Sequence, residues 1–171
     1  MTPVRPDSWV AAFDGGSKGN LGPAGAGCCL TIGDREVWHC TVPLQHSTNN
    51  VAEYSGALML LVHLCARSDL PEEVTLLGDS QLVFRQLLDV SVVTNPLLIG
   101  LYKRCKVLLA ELARKGCKIR FHHVLRDFNK RADHLSNVAM SAVGPNPLPL
   151  TDAAVVLELI DHAVRDSSAA G

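Results

Sequence analysis

The stretch from Val51 to Arg67 has helical periodicity, yet it is apolar on almost every side. Ala57, Leu60, Leu61 and Leu64 recur on one face, and Leu58, Met59 and Val62 fill the others. A helix of that kind has to be buried on more than one side. It therefore needs a layer of other elements on each flank. With 171 residues, 47% of them hydrophobic, the chain can build one such core and has little room for a second domain. Ser47-Thr48-Asn49-Asn50, just ahead of the helix, offers several N-cap candidates.

The neighbouring segments indicate what those layers are. Ser8–Phe13, Gly25–Ile32 and Val37–Pro43 read as strands, the last two joined by a turn over residues 33–36. These three suit an antiparallel meander. After the helix, Ser68-Asp69-Leu70-Pro71 breaks the pattern, and Val74–Leu77 reads as a strand ending at Gly78-Asp79-Ser80. A helix follows from Gln81 to about Leu88, and Asn95-Pro96 opens a longer one that Gly116 stops. Lys118–Leu125 reads as a strand and Asn129–Ala142 as a helix. Helices between the later strands imply parallel crossovers, so the expected fold class is α/β, a mixed sheet flanked by helices.

Pro145, Pro147 and Pro149 read as a stiff linker, and Thr151–Arg165 as an amphipathic helix capped by Thr151. Val155, Leu159 and Val164 are among its apolar positions, and the final SSAAG reads as frayed. The sequence thus divides into a domain over residues 1–143 and a linker with a helix over 144–171. That helix either packs back on the core or docks a partner or the rest of a longer protein.

Charge and cysteine usage narrow the function classes. The formal net charge is -1, so no global field draws the chain onto a polyanion. Nucleic-acid binding would have to rest on local groups or metal ions. The six cysteines, Cys28, Cys29, Cys40, Cys65, Cys105 and Cys117, form no CxxC pair and read as buried free thiols in a reducing compartment. The N-terminal MTPVRPDS lacks a signal peptide's apolar stretch, and the longest apolar run, about Ala57–Ala66, is too short to span a bilayer. The expectation is a soluble, intracellular chain, cytoplasmic or nuclear and monomeric, with no membrane partner.

Residues 14–27, DGGSKGNLGPAGAG, allow three readings: a phosphate cradle, a hairpin turn, or a metal-binding carboxylate at a strand end. A phosphate cradle needs a helix straight after its glycines, and CCLTI is a strand. A turn remains, with glycines that let a nucleic-acid backbone approach. Three other acids share the setting of Asp14. Asp79 closes the fourth strand, Glu53 sits in the first turn of the first helix, and Asp133 lies early in the last core helix. Strands one and four can lie side by side, which would bring Asp14 and Asp79 together at their carboxyl ends. Carboxylates that close repel one another unless a divalent cation sits among them. Mg²⁺ suits such a set, and two ions about 4 Å apart can activate a water and stabilise a leaving oxygen. Three of the four acids also have a plain alternative: a turn residue for Asp14, a helix-terminus charge for Glu53, and a cap for Asp79-Ser80.

The residues around the acids carry a family resemblance. Asp14-Gly15-Gly16-Ser17 with Asn20 and Gly22, Thr48-Asn49-Asn50-Val51-Ala52-Glu53-Tyr54, Gly78-Asp79-Ser80-Gln81-Leu82-Val83 and Asn129-Lys130-Arg131-Ala132-Asp133-His134-Leu135 resemble type 1 ribonuclease H. The four blocks stand in family order over roughly Ser8 to Met140. The resemblance implies a mixed five-stranded sheet whose first three strands are antiparallel. It implies cleavage of the RNA strand of RNA–DNA hybrids with two Mg²⁺ ions, or Mn²⁺ in their place, leaving a 3′-hydroxyl and a 5′-phosphate. By motif, Asp14, Glu53, Asp79 and Asp133 look like the metal ligands, with Asp14 bridging. Gly15, Asn20, Asn49, Asn50, Ser80 and Gln81 match positions that face the nucleic acid, including RNA 2′-hydroxyls. Of Asn49 and Asn50, one amide should cap the helix and the other face substrate.

Two departures from the family follow. Many members carry a catalytic loop histidine, whereas here His122 and His123 lie inside the last strand, pointing to opposite faces. His123 is one candidate for its work. Arg126 fits the loop position better and resembles the short-loop branch of the family, where HVxR stands instead; its alternative is an ion pair with Asp127. The second departure is a missing basic protrusion, since Asp89–Pro96 carries no lysine or arginine. Lys18, Lys130 and Arg131 are the nearest cations, so weak binding with a shallow salt dependence is expected. Other classes stay open at this point: a non-catalytic nucleic-acid-binding module of the same fold, and the nuclease domain of a retroelement polyprotein.

Overall fold

The computed structural model describes residues 7–170, with side chains through Ser167. The readings made above for residues 1–6 and for the side chains of the SSAAG tail beyond Ser167 lie outside it. Five strands form one sheet in the order β3-β2-β1-β4-β5. They are β1 (Trp9–Ser17), β2 (Gly22–Ile32), β3 (Arg35–Ser47), β4 (Glu73–Gly78) and β5 (Lys118–His123). The first three are antiparallel, and β4 runs parallel to both β1 and β5. The helices are α1 (Asn49–Ala66), α2 (Gln81–Leu87), α3 (Pro96–Arg114), α4 (Lys130–Ser141) and α5 (Ala153–Ala170). Among the described residues, no helix is long and apolar enough to cross a membrane.

The all-apolar helix meets the expectation it raised. α1 packs on β1 and β2 with one side and against α3 and α5 with the other. Leu58, Met59, Leu60, Leu61 and Leu64 are all fully buried. Thr48 caps it, its Oγ1 accepting from Val51 N–H at 3.3 Å.

The glycine-rich stretch differs from its reading as a turn. β1 continues through Asp14–Ser17, paired residue by residue with Gly27 back to Ala24, and only residues 18–21 turn. The reason is packing on both faces of the sheet. A Cβ on Gly15 would stand 2.2 Å from the carbonyl carbon of Ala52 on α1, and one on Gly27 would stand 2.4 Å from Leu135 Cβ on α4. Glycine here lets two helices press against a strand pair. Rules that treat glycine as a strand breaker miss that use.

Other boundaries shift for local reasons. β3 runs on to Ser47, past Pro43, because it is an edge strand where a missing N–H is tolerated. β5 ends at His123 and not at Leu125, although Val124 N–H still donates to Gly78 O at 2.9 Å. α5 continues beyond Arg165, and Asp152, not Thr151, caps it, accepting from Ala154 N–H at 2.9 Å. Its buried stripe is Val156, Ile160 and Val164, while Val155 is exposed. That stripe lies against α1, α3 and β3. The preceding linker pairs with β3 as well: His46 N–H donates to Leu148 O at 3.1 Å and Leu150 N–H to His46 O at 3.0 Å. All six cysteines are free, and five of them are buried.

An aromatic latch holds α5 at the end of the sheet away from Asp14. Trp38 stacks on His63 with centroids 3.8 Å apart, and its Nε1–H donates to Ser167 Oγ at 2.9 Å. Burial, then the nearby Arg67 charge, pushes His63 down to about 4. Because that lies below the free-histidine value, the neutral ring favours the fold. Its contribution is complete above about pH 6.5 and is lost as pH falls through about 4. In thermal melts from pH 7 to 4, His63→Phe should therefore lose less stability than the parent. Parallel curves for the two proteins would contradict this.

Candidate active site

Asp14 stands on β1, on the sheet face that α4 covers, because it shares register with Gly27. Asp79 follows the last residue of β4, the parallel neighbour of β1. Glu53 projects from the second turn of α1, one turn later than expected, and Asp133 from the first turn of α4. Oxygens of Asp14, Glu53 and Asp79 lie within 4.8 Å of one another. Asp133 is not part of that triad but lines the same cleft, about 550 Å³ in volume.

The electrostatics of this cluster are unfavourable for the acids alone. Burial, then the Asp79 charge, pushes Asp14 up to about 7. Burial, then Asp14 and Asp79, pushes Glu53 up to about 11. Glu53 Oε2 is buried with no hydrogen-bond partner. An orphaned carboxylate oxygen facing two further carboxylates is an all-oxygen donor set, which fits a hard divalent cation.

The other expected residues fall into distinct settings. His123 lines the cleft, Nε2 lying 3.3 Å from Asp79 O, with its ring edge-on to Phe84. Arg126 also lines it, and its guanidinium lies 3.6 Å from Asp133, not against Asp127. Thr48 does the capping foreseen for an asparagine. Asn49 Oδ1 instead accepts from Ser17 N–H at 2.8 Å, while Asn20 Oδ1 accepts from Asn49 N–H at 2.9 Å. The two amides thus stitch the β1–β2 turn to the start of α1. Asn50 and Gln81 are exposed at helix starts, and Ser80 caps α2, accepting from Val83 N–H at 3.3 Å. Gly15 lines the cleft, but Ala52 fills the room beside it that was expected to admit nucleic acid. Arg131 is tied to Glu36 by two hydrogen bonds of 2.7 and 3.0 Å, so it is no free cation.

Three residues escaped the sequence reading as site components. Ser136 Oγ lies 2.8 Å from Asp133 O and 3.4 Å from Asp14 Oδ2. Asn137 Nδ2 donates to Asp133 Oδ2 at 3.4 Å. The buried Asn129 donates from Nδ2 to Phe13 O at 2.8 Å and so ties α4 to β1 beside Asp14. The signal for the first two was present, since positions three and four after Asp133 share its helix face. Asn129 opens the fourth motif block, but nothing local marked its bond to Phe13, a partner distant in sequence.

Comparison with known proteins agrees with this geometry. Residues 12–139 match the family described as "Reverse transcriptase-like". The ribonuclease HI of Halobacterium salinarum is 38% identical over 142 residues, covering 82% of this chain and 68% of that protein. The bifunctional protein Rv2228c of Mycobacterium tuberculosis is 35% identical over 157 residues, covering 86% of this chain. The chain spans only 40% of that relative's length. A crystal structure of LC11-RNase H1 in complex with RNA/DNA hybrid superposes with a TM-score of 0.71 at 29% identity, covering 78% of this chain and 97% of that one. On these matches, the five-stranded topology and the acidic cleft, the chain belongs to the type 1 ribonuclease H family.

Proposed function

We propose that the chain is a metal-dependent endonuclease that hydrolyses the RNA strand of RNA–DNA hybrids, leaving a 3′-hydroxyl and a 5′-phosphate. The observation that carries this reading is the meeting of Asp14, Glu53 and Asp79 within 4.8 Å in an open cleft. A pure binding module has no use for clustered carboxylates that repel phosphate. The relative LC11-RNase H1, crystallised with an RNA/DNA hybrid, supports the substrate class.

Asp14, Glu53 and Asp79, with Asp133 beside them, would hold two Mg²⁺ or Mn²⁺ ions. When bound, such ions lower the pKa of a water and stabilise a leaving oxygen. The chain's own groups do the rest. Arg126, mostly exposed beside Asp133, can swing to a phosphate and bind it by paired hydrogen bonds. His123, at the rim, donates from Nε2 to the carbonyl oxygen of Asp79, so Nδ1 is its acceptor nitrogen. Asn20 and Asn49 keep their Nδ2 donors free of the bonds that fix their Oδ1 atoms, and Asn50 and Gln81 are exposed at the starts of α1 and α2. Short amides of this kind can read a 2′-hydroxyl, the group that separates RNA from DNA. We assign catalysis to residues 1–143 and read 144–171 as a linker and helix docked on that unit. The six free cysteines support an intracellular setting.

Matched RNA–DNA, RNA–RNA and DNA–DNA duplexes, each with Mg²⁺ and with Mn²⁺, test the reading. Cutting confined to the RNA strand of the hybrid is expected. A hybrid left whole with both metals would refute it. Because the formal net charge is only -1, the log–log slope of affinity against salt should be shallow, about −3 or less in magnitude. A slope typical of many phosphate contacts would argue for a basic surface not identified above.

A further inference from the structure

The mouth of the acidic cleft carries apolar side chains that the fold does not use. The turn from Leu125 to Phe128 follows β5 and leads into α4. Leu125 is 70% exposed and Phe128 75% exposed. Leu125 lines the cleft next to Arg126.

The turn is held firmly. Phe128 N–H donates to Leu125 O at 2.9 Å, and Asn129 N–H donates to Arg126 O at 3.0 Å. It is anchored on one side by Val124 N–H bonded to Gly78 O, and on the other by Asn129 bonded to Phe13 O. The closing bond ties the backbone of Phe128 to that of Leu125. A single exposed apolar residue needs no explanation. Leu125 lines the cleft and Phe128 closes the same fixed turn, and two large exposed apolar residues held on one turn form a contact surface.

Charge indicates what that surface meets. The chain has a net charge of -1 and Arg131 is taken by Glu36, which leaves Arg126, Lys18 and Lys130 as the cations named above for phosphate. Phosphate contacts are therefore few, and affinity for a nucleic acid has to come from elsewhere. The sugars that line the grooves are the part of a hybrid duplex that apolar groups can cover, because its base faces are stacked on one another, and contact with sugars is tolerant of sequence.

We propose that Leu125 and Phe128 form a rigid apolar lip that packs on the sugars of the bound hybrid. The lip supplies affinity that salt does not screen. This inference rests on the hydrolase reading above.

The test is fluorescence anisotropy of a labelled hybrid across a range of salt concentrations. The Asp14→Asn protein with Mg²⁺ serves as the parent, so that the duplex stays whole. Phe128→Ser should weaken binding about tenfold, Leu125→Ser by less, and Phe128→Trp should bind at least as tightly as the parent. The salt slope should not change in any of them. Val155→Ser, an exposed apolar site on α5, should leave affinity unaltered. Parent-like binding by Phe128→Ser overturns the lip, and so does a loss that comes with a changed salt slope. If the native protein cuts hybrid while Phe128→Ser binds normally, only the lip falls. If the native protein neither binds nor cuts hybrid, the hydrolase reading falls too.

Discussion

Asp14→Asn should lower hybrid cleavage at least about a thousandfold and, in chelator near pH 8, raise the melting temperature by about 3–6 °C. The two effects have one origin. Burial and the Asp79 charge push Asp14 up to about 7, and burial with Asp14 and Asp79 pushes Glu53 up to about 11. Both acids sit above their free values, so the fold favours their protonated forms. The stability this gives is present below about pH 4 and is lost as pH rises through these two values. At pH 8 without metal, the folded protein therefore carries repulsion that the unfolded chain avoids. A neutral amide at position 14 removes part of it. Divalent cation should reverse the order, because it binds the folded parent and stabilises it by mass action. Scanning calorimetry in chelator and in Mg²⁺ reads both halves. A variant less stable than the parent in chelator would show that Asp14 supports the fold and is not a source of strain in it.

Gly15→Val should destabilise the protein by more than about 4 kcal/mol, and activity should go with it. The new Cβ would meet the backbone of Ala52 at 2.2 Å and Glu53 N at 2.5 Å. Neither neighbour is a side chain that can swing away, so α1 itself has to move. That helix carries much of the core, and it also carries Glu53. Gly19→Ala is the matched control. It has open space around the new methyl and only its positive φ against it, so about 1 kcal/mol is expected. Urea unfolding midpoints for both variants and the parent decide the matter. Similar losses at the two positions would mean that the glycines serve chain conformation and not helix approach.

Much of the fold was legible because its signals are local. The apolar girth of α1, the Asn95-Pro96 start of α3 and the Gly116 stop each name their own element. The acids were legible for a different reason: Asp79 and Asp133 stand at a strand end and a helix start, and the motif blocks around all four carry the family resemblance, although Asp14 proves to lie within β1 and Glu53 in the second turn of α1. What escaped depends on partners far apart in sequence. Gly15 and Gly27 look like turn residues until the helices that lean on them are known. Asn49 looks like a helix cap until Ser17 and Asn20 are seen to claim it. Arg126 had Asp127 beside it in sequence, yet Asp133, one turn into α4, is its neighbour in space.

The docking of α5 bears on where this protein can be cut. Sequence character changes near residue 143, where prolines take over. The strand-like pairing of residues 148–150 with His46 and the seating of Val156, Ile160 and Val164 lie beyond that point. A shortened chain would lose the Ser167 partner of Trp38 and the helix that packs on β3, and would leave the outer edge of β3 open along its whole length. Open edges and bare aromatic faces are what drive chains to associate. The shift in composition marks the end of the motif blocks, whereas the buried core runs on to Val164 in the last helix.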